Sequence, residues 1–92
     1  MKTALPCYTS CAGFEVLGPD GRVGVVEAVL EGPTGEPEEL AVRAVLFSRR
    51  ILFMPIEEVV EVDPGARRVL LDRPPRLTGS ISLDEWLPRT AA

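Results

Sequence analysis

A tight turn spelled Gly18-Pro19-Asp20-Gly21 stands between two valine-bearing apolar runs and constrains the chain more than any other stretch. Pro19 presets φ near about −65° for a first turn position, and Asp20 and Gly21 tolerate the positive φ that closes the turn. Residues 13–17 enter as one strand and residues 22–30 leave as a second. Strict alternation puts Gly24, Val26, Ala28 and Leu30 on one face, with Val23, Val25, Glu27 and Val29 on the other. Both faces are apolar near the start, as in a strand bent across a barrel interior. Gly24 weakens such a strand unless space demands it, so a close approach by another backbone or an aromatic ring is predicted there.

The chain has 92 residues, 46% of them apolar, which suits one domain with a modest core. Nine prolines and eight glycines interrupt it at short intervals and favour brief strands over long helices. After the second strand, residues 31–37 form an apolar-free connection and read as a tolerant hairpin tip. Strand three is expected at residues 39–47, a polar turn at Ser48-Arg49-Arg50, and strand four at residues 51–54. Pro55 ends that strand and opens a single helical turn, with Glu57 and Glu58 in the field of its N-terminus. Strands five and six are expected at residues 59–62 and 67–71 around Asp63-Pro64-Gly65-Ala66. Arg73-Pro74-Pro75-Arg76 cannot pair on its proline side, so the sheet is expected to stop there.

Charge and composition exclude several classes of function. The formal net charge is −4, which disfavours attraction to phosphate backbones, so nucleic acid is not an expected partner. The Arg49-Arg50, Arg67-Arg68 and Arg73/Arg76 pairs read as solvated turn or edge charges. Nothing approaches eighteen consecutive apolar residues and no signal-peptide pattern precedes Pro6, so the expectation is no membrane span and cytoplasmic residence. The absence of histidine removes His-based acid–base work, Ser-His and Cys-His pairs, and the commonest metal ligand. The carboxylate pairs Glu38/Glu39, Glu57/Glu58 and Asp84/Glu85 read as hydrated neighbours. No cofactor motif is present, and no catalytic residue is assigned.

Cys7 and Cys11 are the residues with reactive potential. Were residues 8–10 extended, their α-carbons would lie about 13 Å apart, beyond a disulfide. Three readings stand open: small inert side chains, a thiol switch through a turn, or two thiolates per chain sharing a metal across a dimer.

The tail carries its own signal. Ser82-Leu83-Asp84-Glu85 has capping-box spacing, and Leu83, Trp86 and Leu87 fall on one face of a short helical turn before Pro88. So short a turn must dock to be ordered, either on the chain's own sheet or in a partner, with Trp86 as anchor.

Asp20-Gly21-Arg22-Val23-Gly24-Val25-Val26, the Thr34-Gly35 loop and Phe53-Met54-Pro55-Ile56-Glu57-Glu58-Val59 together resemble the PRC-barrel domain. That domain occurs in the H subunit of purple bacterial reaction centres and in the ribosome-maturation factor RimM. The resemblance covers residues 13–72 and implies Asp20, Gly21, Gly24 and Pro55 as structural-motif positions. It departs at Met54, where family members often carry valine.

The expected architecture is therefore an all-β, mostly antiparallel, six-stranded barrel at residues 13–75. An arm at residues 1–12 precedes it, and a tail at residues 76–92 follows with a short helical turn. The resemblance implies a non-enzymatic protein-interaction or assembly adaptor. A homodimer is expected because valine-rich edges need cover. A ribosome- or RNA-associated factor and a thiol- or metal-responsive regulator are the alternatives.

Overall fold

The structure is a computed structural model and describes residues 11–44 and 49–86. Among the described residues, seven strands form one sheet in the order β5-β6-β1-β2-β3-β4-β7. They are β1 (Glu15–Gly18), β2 (Gly21–Glu31), β3 (Pro37–Ala44), β4 (Arg50–Pro55), β5 (Glu61–Asp63), β6 (Arg68–Leu70) and β7 (Gly79–Ser82). A 3₁₀ turn at Ile56–Glu58 follows β4. An α-helical turn occupies residues 83–86.

The expected closed six-stranded barrel is corrected in three respects. The sheet is open, with β5 and β7 at its edges. It is mixed, because β6 returns parallel to β1 with Val16 beside Val69. It also continues beyond the prolines: β7 pairs antiparallel with β4, setting Ile51 opposite Ile81. Prolines 74 and 75 interrupt the ladder without ending the sheet, since they fall in the connection between β6 and β7.

The first turn forms where the sequence puts it. Gly18 pairs with Gly21, and Gly21 takes the positive φ, +121°. The second hairpin closes through Gly32-Pro33-Thr34-Gly35. The Gly35 N–H donates to the Gly32 carbonyl at 3.0 Å, and Gly35 sits at φ +85°. That combination is a proline-led turn followed by a left-handed residue, a common short-loop hairpin solution. In the third turn the left-handed position falls on Arg67, at φ +58°, and not on Gly65. The Asp63 Oδ1 accepts from the Ala66 N–H at 3.2 Å, and the Arg67 guanidinium carbon lies 5.3 Å from the Phe14 ring centroid.

Gly24 has the close approach expected of it. A Cβ there would fall on the carbonyl oxygen of Arg43 and 2.7 Å from Cγ1 of Val42.

The face assignment for β2 is corrected by a bulge. Val26 pairs with Val42, but Ala28 pairs with Ala41, leaving Glu27 as the extra residue. The bulge reverses the phase of the strand. Val26 and Val29 therefore face one core, while Ala28 and Leu30 join the opposite face. Glu27 is held on the adjacent strand, where its carboxylate accepts from Arg43 Nε at 2.6 Å.

Two apolar clusters result, one on each side of the sheet. The larger contains Cys11, Phe14, Val16, Val26, Leu40, Val42, Met54, Val69 and Leu71, and is the core face. Each fully buried aliphatic side chain there contributes roughly 1.5–3 kcal/mol. The smaller, on the reverse face, is centred on Ala41, Ile51 and Trp86, with Ala28, Leu30, Phe53, Ile81 and Leu83 around them.

Candidate interaction surface

The reverse face is assembled by the tail. The Ser82 Oγ accepts from the Glu85 N–H and the Glu85 Oε1 accepts from the Ser82 N–H, both at 3.3 Å. These reciprocal bonds form the capping box that the sequence spells. The Leu83 N–H donates to the Arg49 carbonyl at 2.6 Å, and Arg49 pairs with Asp84 across the surface. The turn is thus fixed to the start of β4, and Trp86 lands on the sheet. Trp86 is 5% exposed, with its ring centroid 6.1 Å from that of Phe53 and the planes inclined at 56°. Leu83 is half-buried in the same cluster, and Leu87 lies outside the described residues.

Beside this cover the reverse face opens into a groove of about 350 Å³, lined by Leu30, Glu39, Phe53 and Thr78. The Thr78 hydroxyl donates to Glu39 Oε2 at 2.6 Å and lies 3.2 Å from the Phe53 carbonyl oxygen. Glu39 is half-buried, as are Leu30 and Phe53. The groove therefore presents two apolar walls and a fixed carboxylate.

Charge is unevenly distributed about the sheet. Glu15 meets Arg22 at 2.9 Å and Arg68 at 3.7 Å, Glu27 meets Arg43, and Asp84 meets Arg49. Around the β2–β3 hairpin, Glu31, Glu36, Glu38 and Glu39 have no ion pair among the described residues, nor has Glu57 in the 3₁₀ turn. No Lys or Arg occurs in residues 28–42 or 51–66, so that end of the molecule is acidic.

Glu58 is the acid whose role the sequence reading missed. Its side chain is 3% exposed, and Arg73 Nε and Arg76 Nε both lie 3.8 Å from its carboxylate oxygens. Its Oε1 also accepts from the Arg76 N–H at 3.2 Å. The carboxylate fastens the proline connection to the 3₁₀ turn and so sets where β7 begins. The available signal was an acid after Pro55 facing arginines on either side of Pro74-Pro75.

The four motif positions do not converge. Asp20 and Gly21 occupy the β1–β2 turn, which with Pro74 and Pro75 bounds a second cavity of about 200 Å³. Gly24 and Pro55 pair with opposite ends of β3, Ala44 and Glu39. Cys11 is wholly buried in the core face, and Cys7 lies outside the described residues. Among the described residues no group of three or more His, Cys, Asp or Glu side chains is placed to hold a metal. Nor is any helix there long and apolar enough to cross a membrane.

The edges also differ from the valine-rich ones expected. β5 is three residues with acids at both ends, and β7 is Gly-Ser-Ile-Ser with the Ser82 N–H engaged by Glu85. Short, charged or occupied edges resist ladder extension. The valine-rich β2 lies inside the sheet.

Compared with known proteins, the chain matches no family model and no curated protein.

Proposed function

We propose that this chain is a non-catalytic protein-interaction module of the PRC-barrel class, its sheet left open, that serves in assembly as an adaptor. One observation carries the reading: the open groove of Leu30, Phe53, Glu39 and Thr78 beside the Trp86 cover. Its hydroxyl and carboxylate are bonded to each other, which suits recognition of a partner side chain more than attack on a substrate. Apolar walls around one fixed polar group are what a protein anchor residue requires.

A second copy of the chain is the first partner to test. Val60 and Leu77, 57% and 44% exposed, supply apolar area that association would cover. Size-exclusion chromatography with light scattering at high micromolar concentration is expected to give a dimer. A clean monomer removes the homodimer and leaves the adaptor reading dependent on a different protein. Affinity capture with mass spectrometry then decides that reading. Recovery of a stoichiometric partner supports it, and recovery of none in the native cell overturns it.

A further inference from the structure

We infer that the reverse-face groove binds a basic–apolar peptide segment, in which an arginine or lysine lies next to an aliphatic residue. The inference rests on the interaction-module reading and specifies its partner's chemistry.

The groove's own composition sets the first half of that chemistry. Leu30 and Phe53 line it with carbon, and Phe53 continues through its ring contact to Trp86. An aliphatic side chain resting there exchanges water for apolar surface on both sides. Glu39 sets the second half. Its carboxylate borders the groove and is oriented by the Thr78 hydroxyl, so one oxygen is fixed while further acceptor positions remain for a cation.

The surrounding charge points to the same partner. Glu15, Glu27, Glu58 and Asp84 each lie beside an arginine of their own chain. Glu39, together with Glu31, Glu36, Glu38 and Glu57, does not among the described residues. Asp20, Glu61, Asp63, Asp72 and Glu85 are also without an ion pair among the described residues, but the hairpin end that bears the groove combines five such carboxylates with stretches, residues 28–42 and 51–66, that carry no Lys or Arg. A field of one sign over a partly apolar groove steers an oppositely charged segment and selects against acidic ones. An arginine suits the site best, because its guanidinium stacks on an aromatic face while its N–H groups reach a carboxylate.

The test is a titration of isotope-labelled full-length protein with the probe N-acetyl-Leu-Arg-Leu-Arg-amide, followed by amide and indole chemical shifts. Saturable shifts are expected at Leu30, Glu39, Phe53, Thr78 and the Trp86 indole. The same peptide with citrulline in place of arginine keeps the shape and loses the charge. It is expected to bind at least about tenfold more weakly. Glu39→Gln, which retains an acceptor for Thr78, is expected to weaken the arginine peptide by a similar factor. The citrulline comparison uses the wild-type chain, so it decides the matter even if the variant folds poorly.

No saturable shift at millimolar peptide overturns the inference, as do shifts centred away from the groove or equal affinity for both peptides. Peptide-free broadening of the same resonances with protein concentration also overturns it, because the occupant is then a second copy. Any of these results leaves the interaction-module reading to its own tests by light scattering and capture.

Discussion

The two faces of this sheet are built from the same strands but held in different ways. On the core face, the side chains buried to 1% exposure or less include Val16 from β1, Val26 from β2, Leu40 and Val42 from β3, Met54 from β4 and Val69 from β6. Five strands converge on one cluster, so no single segment can leave without opening the whole. On the reverse face, Ala41 and Ile51 are buried with Trp86, which one segment supplies: the edge strand β7, laddered beside β4, and the turn that follows it. The first face is a distributed core, and the second is a face with a cover. Burial alone does not distinguish them; the number of independent segments supplying it does.

The largest expected effect tests the distributed half of that comparison. Leu40→Ala should destabilise the chain by about 3–4 kcal/mol, inside the range of about 2–5 kcal/mol usual for a fully buried leucine. Urea unfolding should show a lower midpoint with unchanged slope, reporting one cooperative loss. A small or strictly local effect would mean that the core face is not the unit holding the fold together.

Trp86→Ala tests the covered half. A buried tryptophan in a distributed core costs about 3–5 kcal/mol to truncate. Here the loss should stop near about 2 kcal/mol, because the segment can detach and the remaining sheet stays folded. Adding Ile81→Ala should then cost far less than it does in the wild type, since both act through the same docking equilibrium. Hydrogen exchange should lose protection in β7, and at the β4 amides bonded to it, before β1 and β2. A global loss equal to that of Leu40→Ala would erase the distinction between the faces.

The cover was more legible in the sequence than the sheet it covers. Ser82, Glu85 and Trp86 act through local spacing, and local spacing is what a sequence displays. The same holds for Gly21, whose positive φ follows from turn chemistry, and for Gly24, whose β-branched surroundings imply a close neighbour. The missed features depend on distant partners. The Glu27 bulge is stabilised by Arg43 on the neighbouring strand, and nothing within β2 marks the change of phase. β7 has one large apolar residue, Ile81, and exists because β4 offers it a ladder. Glu58 reads as a hydrated turn acid until arginines 15 and 18 residues later fold back beside it. Arg67 takes the left-handed position two residues after a glycine, where ring contact with Phe14 compensates part of its backbone strain. The groove followed the same rule: Leu30 joins Phe53 because the bulge turned it over.

A smaller effect sharpens the account of the cover. Ser82→Ala removes the oxygen that accepts from the Glu85 N–H and should cost about 1 kcal/mol. Glu85 still reaches the Ser82 N–H, so half of the capping box survives. The loss should appear as red-shifted Trp86 emission at denaturant concentrations where the core face remains folded. Loss of the core face in the same step would show that the two clusters unfold as one.

The smallest effect belongs to the β2–β3 hairpin tip, where Pro33, Thr34, Gly35 and Glu36 are all exposed. A Gly-Ser insertion after Gly35 disturbs the bond between the Gly32 N–H and the Glu36 carbonyl. Those groups are near water, which can replace the lost partner, and lengthening a loop adds closure entropy slowly. Two residues also preserve alternation, so Leu40 stays on the core face and Ala41 on the reverse face. The change should remain within about 0.5 kcal/mol by thermal melt. A loss as large as that of Ser82→Ala would mean that the tip sets the β2–β3 register. Near-neutrality would assign that role to the Glu27 bulge and the buried pairing around Val42, which hold both faces in phase without help from the turn.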